Sequence, residues 1–135
     1  MRRYLLVAAA ILSALTTSAA AESIPAELVG VWANDGAVLK GSLLFEGQAL
    51  YLGADGIGAL VGGPPPIGMK IQAVFDTATN RINFDLIENE KVIGHGRAIY
   101  DPNRKTIGSG DGRNGLLWRR SRELTREIKN SLGLH

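Results

Sequence analysis

In "RINFDLIE", residues 81–88, the apolar Ile82, Phe84 and Leu86 alternate with the polar Asn83 and Asp85. A period of two puts one set of side chains on a buried face and the other in water, so the segment predicts a half-buried β-strand. "GMKIQAVFD", residues 68–76, repeats the pattern with Met69, Ile71, Ala73 and Phe75 inward and Lys70 and Gln72 outward. "DTATN", residues 76–80, joins the two with side chains that bond their own backbone, which makes the pair a hairpin. Further strand signals cover 28–33, 37–45, 48–52, 57–61, 91–100, 105–107 and 116–121. Turn signals separate them at Asn34-Asp35-Gly36, Glu46-Gly47, Asp55-Gly56, Asn89-Glu90 and Asp101-Pro102-Asn103. About eight strands with short links predict an all-β domain: an antiparallel meander whose closure into a barrel removes its exposed edges.

Two segments depart from this rhythm. "GGPPPIG", residues 62–68, holds three successive prolines that donate no backbone hydrogen bond, which predicts a stiff loop at one end, either a plain connector or a lid. At the C-terminus Leu124, Ile128 and Leu132 recur at helical spacing, with Arg122, Arg126 and Lys129 on another face. Ser121 is suited to cap this short α-helix, Glu123 to its first turn and Gly133 to its end. So short a helix is marginal alone, and its apolar stripe is expected to pack on the outside of the barrel.

Residues 1–21 read as a secretory signal: Arg2 and Arg3, an apolar stretch from Tyr4 to Leu15, and an Ala-x-Ala cleavage site before Glu22. The stretch is shorter than the roughly 20 residues a spanning helix needs, so export to the periplasm or beyond is expected without stable membrane insertion. The expected organisation is a signal peptide at 1–21, a barrel domain at 22–121, and an amphipathic helix and tail at 122–135. With no cysteine, the chain has no disulfide, thiolate ligand or thiol nucleophile.

The formal charge of +2 resides in Arg2 and Arg3, so the chain from Glu22 onward is neutral and gives no overall case for a nucleic-acid partner. Its charge is nonetheless divided. Residues 22–100 hold 5 basic and 9 acidic side chains, and residues 101–135 hold 8 basic and 4 acidic.

"GDGRNG", residues 110–115, has the Gly-x-Gly-x-x-Gly spacing of a phosphate loop. Such a loop opens a helix whose N-terminal amides receive the phosphate, whereas the third glycine here opens the strand "LLWRRS". The segment therefore reads as a hairpin connection. After residue 21 the histidines are His95, which shares an outward strand face with Arg97, and the terminal His135. That is too little for a Ser-His-Asp arrangement or a zinc site. Asp35, Asp55, Asp76, Asp101 and Asp111 sit in turn contexts, and Glu88 and Glu90 at a strand end, so no catalytic carboxylate pair stands out. No enzyme, cofactor or metal is expected.

"LVGVWAND" carries Gly30-x-Trp32 on an early strand, and "LLWRRS" puts Arg119 and Arg120 on the last one. This pairing resembles the lipocalin-like, or calycin-type, barrels, in which an arginine from the last strand lies over the tryptophan of a Gly-x-Trp and closes one end. The resemblance implies that Gly30, Trp32 and either Arg119 or Arg120 close this barrel, and that a small apolar ligand is held by inward residues such as Leu50, Ile71, Phe75, Phe84 and Tyr100. The small face of Gly94, Gly96 and Ala98 favours the alternative of a filled barrel that acts by protein contact, as an inhibitor or immunity-type protein does.

Overall fold

The computed structural model describes residues 24–109 and 114–134. After a 3-10 turn at Ala26–Leu28 come nine strands: β1 Gly30–Asn34, β2 Val38–Lys40, β3 Leu43–Leu52, β4 Ile57–Gly63, β5 Ile67–Asp76, β6 Arg81–Glu88, β7 Lys91–Asp101, β8 Thr106–Ser109 and β9 Asn114–Ser121. A single helix follows, α1 at Arg126–Ser131. Each strand from β3 to β9 pairs antiparallel with the next, and β1 pairs with both β9 and β3. Eight strands thus close an antiparallel barrel, while β2 pairs only with β3 and stands outside the ring. Among the described residues no helix is long and apolar enough to cross a membrane.

The alternation read from the sequence sorts the apolar side chains into two cores. Inside the barrel Trp32, Leu50, Leu52, Ile71, Ala73, Ile82, Ala98, Tyr100 and Ile107 form one buried cluster, with Leu28 and Ile24 plugging it. Their sequence neighbours point outward. Over β1, β3 and β4 that outer face is apolar, with Val31, Ala33, Ala49, Tyr51, Ala59 and Val61, and the C-terminal segment covers it with Ile128 and Leu134 buried and Leu124 and Leu132 partly so. The helix therefore docks on the outside of its own barrel.

Several boundaries differ from the sequence expectation. The first strand begins at Gly30 rather than at residue 28, because 26–28 turn as a 3-10 helix. The expected break at Glu46-Gly47 is absent; the turn lies at Gly41-Ser42, and β3 runs unbroken from Leu43. Gly47 has a φ of 108°, and a Cβ there would sit 2.7 Å from the Asn34 side-chain oxygen, which accepts a hydrogen bond from the Gln48 amide. The glycine thus admits a side chain from β1 to the strand instead of ending it. The proline segment is tighter than expected: Gly62 and Gly63 belong to β4, Ile67 and Gly68 to β5, and only Pro64–Pro66 connect them.

The helix starts four residues later than a cap at Ser121 would place it. Ser121 pairs with Val31 and ends β9, its hydroxyl accepting only a local bond from the Glu123 amide. Thr125 is the actual cap, its hydroxyl accepting from the Ile128 amide at 3.2 Å. Gly110, Asp111, Gly112 and Arg113 lie outside the described residues. Ser109 and Asn114 on either side of them are register partners, so this segment links two adjacent antiparallel strands, and Gly115 lies in β9 rather than at a helix start.

Candidate functional site

The barrel has two unlike ends. One is formed by the start of β1, the ends of β3, β5, β7 and β9, and the starts of β4, β6 and β8. Here Trp32 is 1% exposed, its indole N–H donating to the Leu28 carbonyl at 3.0 Å. Tyr100 meets it edge to face, the centroids 6.1 Å apart. The Arg119 guanidinium lies over the same indole, 5.7 Å from the ring centroid, and donates to the Glu27 carbonyl. The sequence alone leaves open which arginine faces in. In the structure Leu117 packs into the interior cluster, so by alternation Arg119 shares its face and Arg120 points out. Arg120 instead bonds the Asn34 carbonyl at 2.9 Å and the Asp35 carboxylate at 3.3 Å.

Gly30 has its own reason to precede Trp32. Its φ is 138°, and an added Cβ would lie 2.2 Å from the Ser121 carbonyl oxygen of β9. A side chain at this position would push apart the two strands whose pairing completes the ring.

Among the described residues the opposite end is open. Gln48 and Leu50 of β3, Leu60 and Gly62 of β4, Phe84 of β6, Ala98 of β7, Ile107 and Ser109 of β8 and Leu117 of β9 surround a pocket of about 360 Å³. Of the five expected ligand contacts, Leu50 and Phe84 line this pocket. Ile71, Phe75 and Tyr100 belong to the same interior cluster but not to the lining; Ile71 is fully buried, and Tyr100 is engaged with Trp32. Leu60, Ile107 and Leu117 were not among the expected contacts, although the alternation of β4 and β9 marks Leu60 and Leu117 as inward positions. Gly96 contributes by what it lacks: a Cβ there would sit 2.3 Å from the Phe84 ring, so the glycine makes room for the phenyl group beside the pocket. Among the described residues Arg97 is the only charged side chain in the lining.

Burial raises the Tyr51 phenol above its ordinary pKa, opposed by the Leu44 amide donating to its oxygen. Tyr100 is raised first by burial, then by the negative charge of Glu27; Arg119 pulls the other way, and Asp101 adds a smaller upward push. On the outer face of β6 and β7, exposed His95 lies 2.8 Å from Asp85, Nδ1 to carboxylate oxygen. Among the described residues no group of three or more His, Asp or Glu side chains could hold a metal ion. No family model, curated protein or solved structure matches the chain.

Proposed function

We propose that this protein is an exported, non-enzymatic binding protein that takes a small apolar ligand into the open end of its barrel. The observation that carries this reading is the pocket of about 360 Å³ walled by Leu50, Leu60, Phe84, Ile107 and Leu117. That volume and an apolar lining with few polar groups are characteristic of small-molecule sites. Among the described residues the lining includes Ser109 but no His, Asp or Glu that could serve as a general acid or base. The plugged opposite end leaves the open end as the route of entry.

The test is titration with the neutral apolar fluorophore N-phenyl-1-naphthylamine. A saturable rise in emission is expected, with loss of that rise in Leu117→Trp, which fills the pocket; absence of saturation, or an unchanged Leu117→Trp titration, overturns the reading. Intact mass of protein recovered from the producing cell should correspond to a chain starting at Glu22.

A second reading, contact with a protein partner, is favoured by a different observation. Ile67, Val92 and Ile93, at the starts of β5 and β7, are exposed apolar side chains at the open end, Ile67 at 72%. If these form the working surface, Ile67→Ser with Ile93→Ser should abolish co-purification of a defined partner and leave probe binding intact.

A further inference from the structure

At the plugged end a second pocket, of about 680 Å³, lies on the outside of the Trp32 closure. Arg104, Lys105, Arg119 and Arg122 line it, and Glu27 is the one carboxylate of the described lining. Among the described residues none of these four cations forms an ion pair with a carboxylate. Half of the 8 basic residues that the sequence concentrates in 101–135 therefore converge on one concave surface. Cations scattered on a convex surface are separately solvated; four around a concavity reinforce one another's field at a common point.

The backbone holds two of them in place. The Asp101 carboxylate accepts from the Asn103 and Arg104 amides, at 3.0 and 3.1 Å, and Lys105 takes a left-handed conformation with φ of 55°. Arg119 is fixed by Trp32 and the Glu27 carbonyl. Trp118 also lines the pocket and is half-buried, supplying flat apolar surface beside the charges.

We propose that this pocket binds a soluble phosphate monoester carried on a planar ring, the phosphate received by Arg104, Lys105 and Arg122 and the ring by Trp118. Guanidinium groups match phosphate oxygens in a two-pronged geometry, and an indole accepts a flat ring by stacking. The site is at the opposite end from the apolar pocket and stands or falls independently of it.

The chain's two tryptophans, Trp32 and Trp118, both line this pocket, so intrinsic fluorescence reports on it directly. Titration with phenyl phosphate at low ionic strength should give a saturable change, with inorganic phosphate binding about tenfold more weakly because it lacks the stacked ring. The variant R104Q/K105Q/R122Q keeps Arg119 in place and alters only exposed side chains. Its thermal melt should match wild type while its affinity for phenyl phosphate falls about tenfold or more. By calorimetry, Trp118→Leu should bind phenyl phosphate no better than inorganic phosphate. The proposal is overturned if phenyl phosphate does not saturate, if the triple variant binds it like wild type, or if the protein binds phosphatidic acid vesicles but not phenyl phosphate.

Discussion

Arg119 and Trp32 are joined across the closing seam of the barrel: the guanidinium caps the indole at 5.7 Å, and the same side chain donates to the Glu27 carbonyl in the segment leading into β1. One residue of the last strand thus fixes both the first strand and the turn that plugs the end. Arg119→Ala removes the cation–π contact and the hydrogen bond, an expected loss of about 1 to 3 kcal/mol in urea unfolding. Arg119→Lys should recover only part of it, since an ammonium does not stack as a guanidinium does. A stability of Arg119→Ala equal to wild type would show that the seam is held by backbone pairing alone.

Gly30 tests the same seam from the backbone. With its φ of 138° and the Ser121 oxygen 2.2 Å from the place a Cβ would take, Gly30→Ala imposes both strain and a clash. The expected cost is about 3 kcal/mol or more, measurable as a lower midpoint of chemical denaturation. By contrast Gly36→Ala, at a turn where nothing lies within 4 Å of the added carbon, carries only the strain of its φ of 82° and should cost less.

The sequence makes the barrel legible because its strands alternate cleanly. Ile82, Phe84 and Leu86 on β6 and Ile71, Ala73 and Phe75 on β5 all join the interior cluster, as a period of two requires. Met69 continues that series and pairs with inward Leu60, yet it stands at the open end and is exposed, because alternation gives the face and not the depth. The same limit explains the site. Leu50, Ile71, Phe75, Phe84 and Tyr100 all share the interior, but which of them meet empty space depends on the height at which Trp32 and Tyr100 fill the barrel. The basic pocket is less legible still, since Arg104 and Arg122 lie 18 positions apart in sequence and meet only when β8 and β9 fold back at the plugged end. The misplaced helix start has a local cause: Ser121 and Thr125 are both competent caps, and pairing of Ser121 with Val31 decides between them.

Tyr51 predicts a specific alkaline behaviour. Its hydroxyl donates to the Ser42 carbonyl at 2.6 Å and accepts from the Leu44 amide at 3.0 Å, and burial holds its folded pKa above the ordinary value of 10.0. The neutral phenol is therefore favoured in the folded state. Its contribution to stability is fully present below the unfolded pKa and is lost as pH rises through the folded one. Tyr100 is shifted in the same direction, so phenolate absorbance of the folded domain should rise only above pH 10, with unfolding following. Tyr51→Phe leaves a buried amide and carbonyl without their partner and should cost about 1 to 3 kcal/mol at neutral pH. Ionisation of both phenols at or below their ordinary value would contradict the burial seen here.

The C-terminal segment separates a structural role from a surface role. Ile128 and Leu134 are buried, at 6% and 4% exposure, against an outer barrel face made of Val31, Ala33, Ala49, Ala59 and Val61. That face is as apolar as the interior, so removing its cover exposes both partners at once. Ile128→Ala should cost about 2 to 5 kcal/mol, the usual range for truncating a buried isoleucine. Thr125→Ala removes only the cap bond to the Ile128 amide and should cost about 1 kcal/mol. Deleting residues 123–135 should cost several kcal/mol and produce early melting or aggregation through the uncovered patch. A helix serving a membrane surface would give the opposite pattern. Its deletion would leave the melt unchanged, and binding to anionic vesicles, driven by Arg126 and Lys129, would weaken with salt. A thermal melt of the truncated chain that overlays the full-length curve would decide against docking.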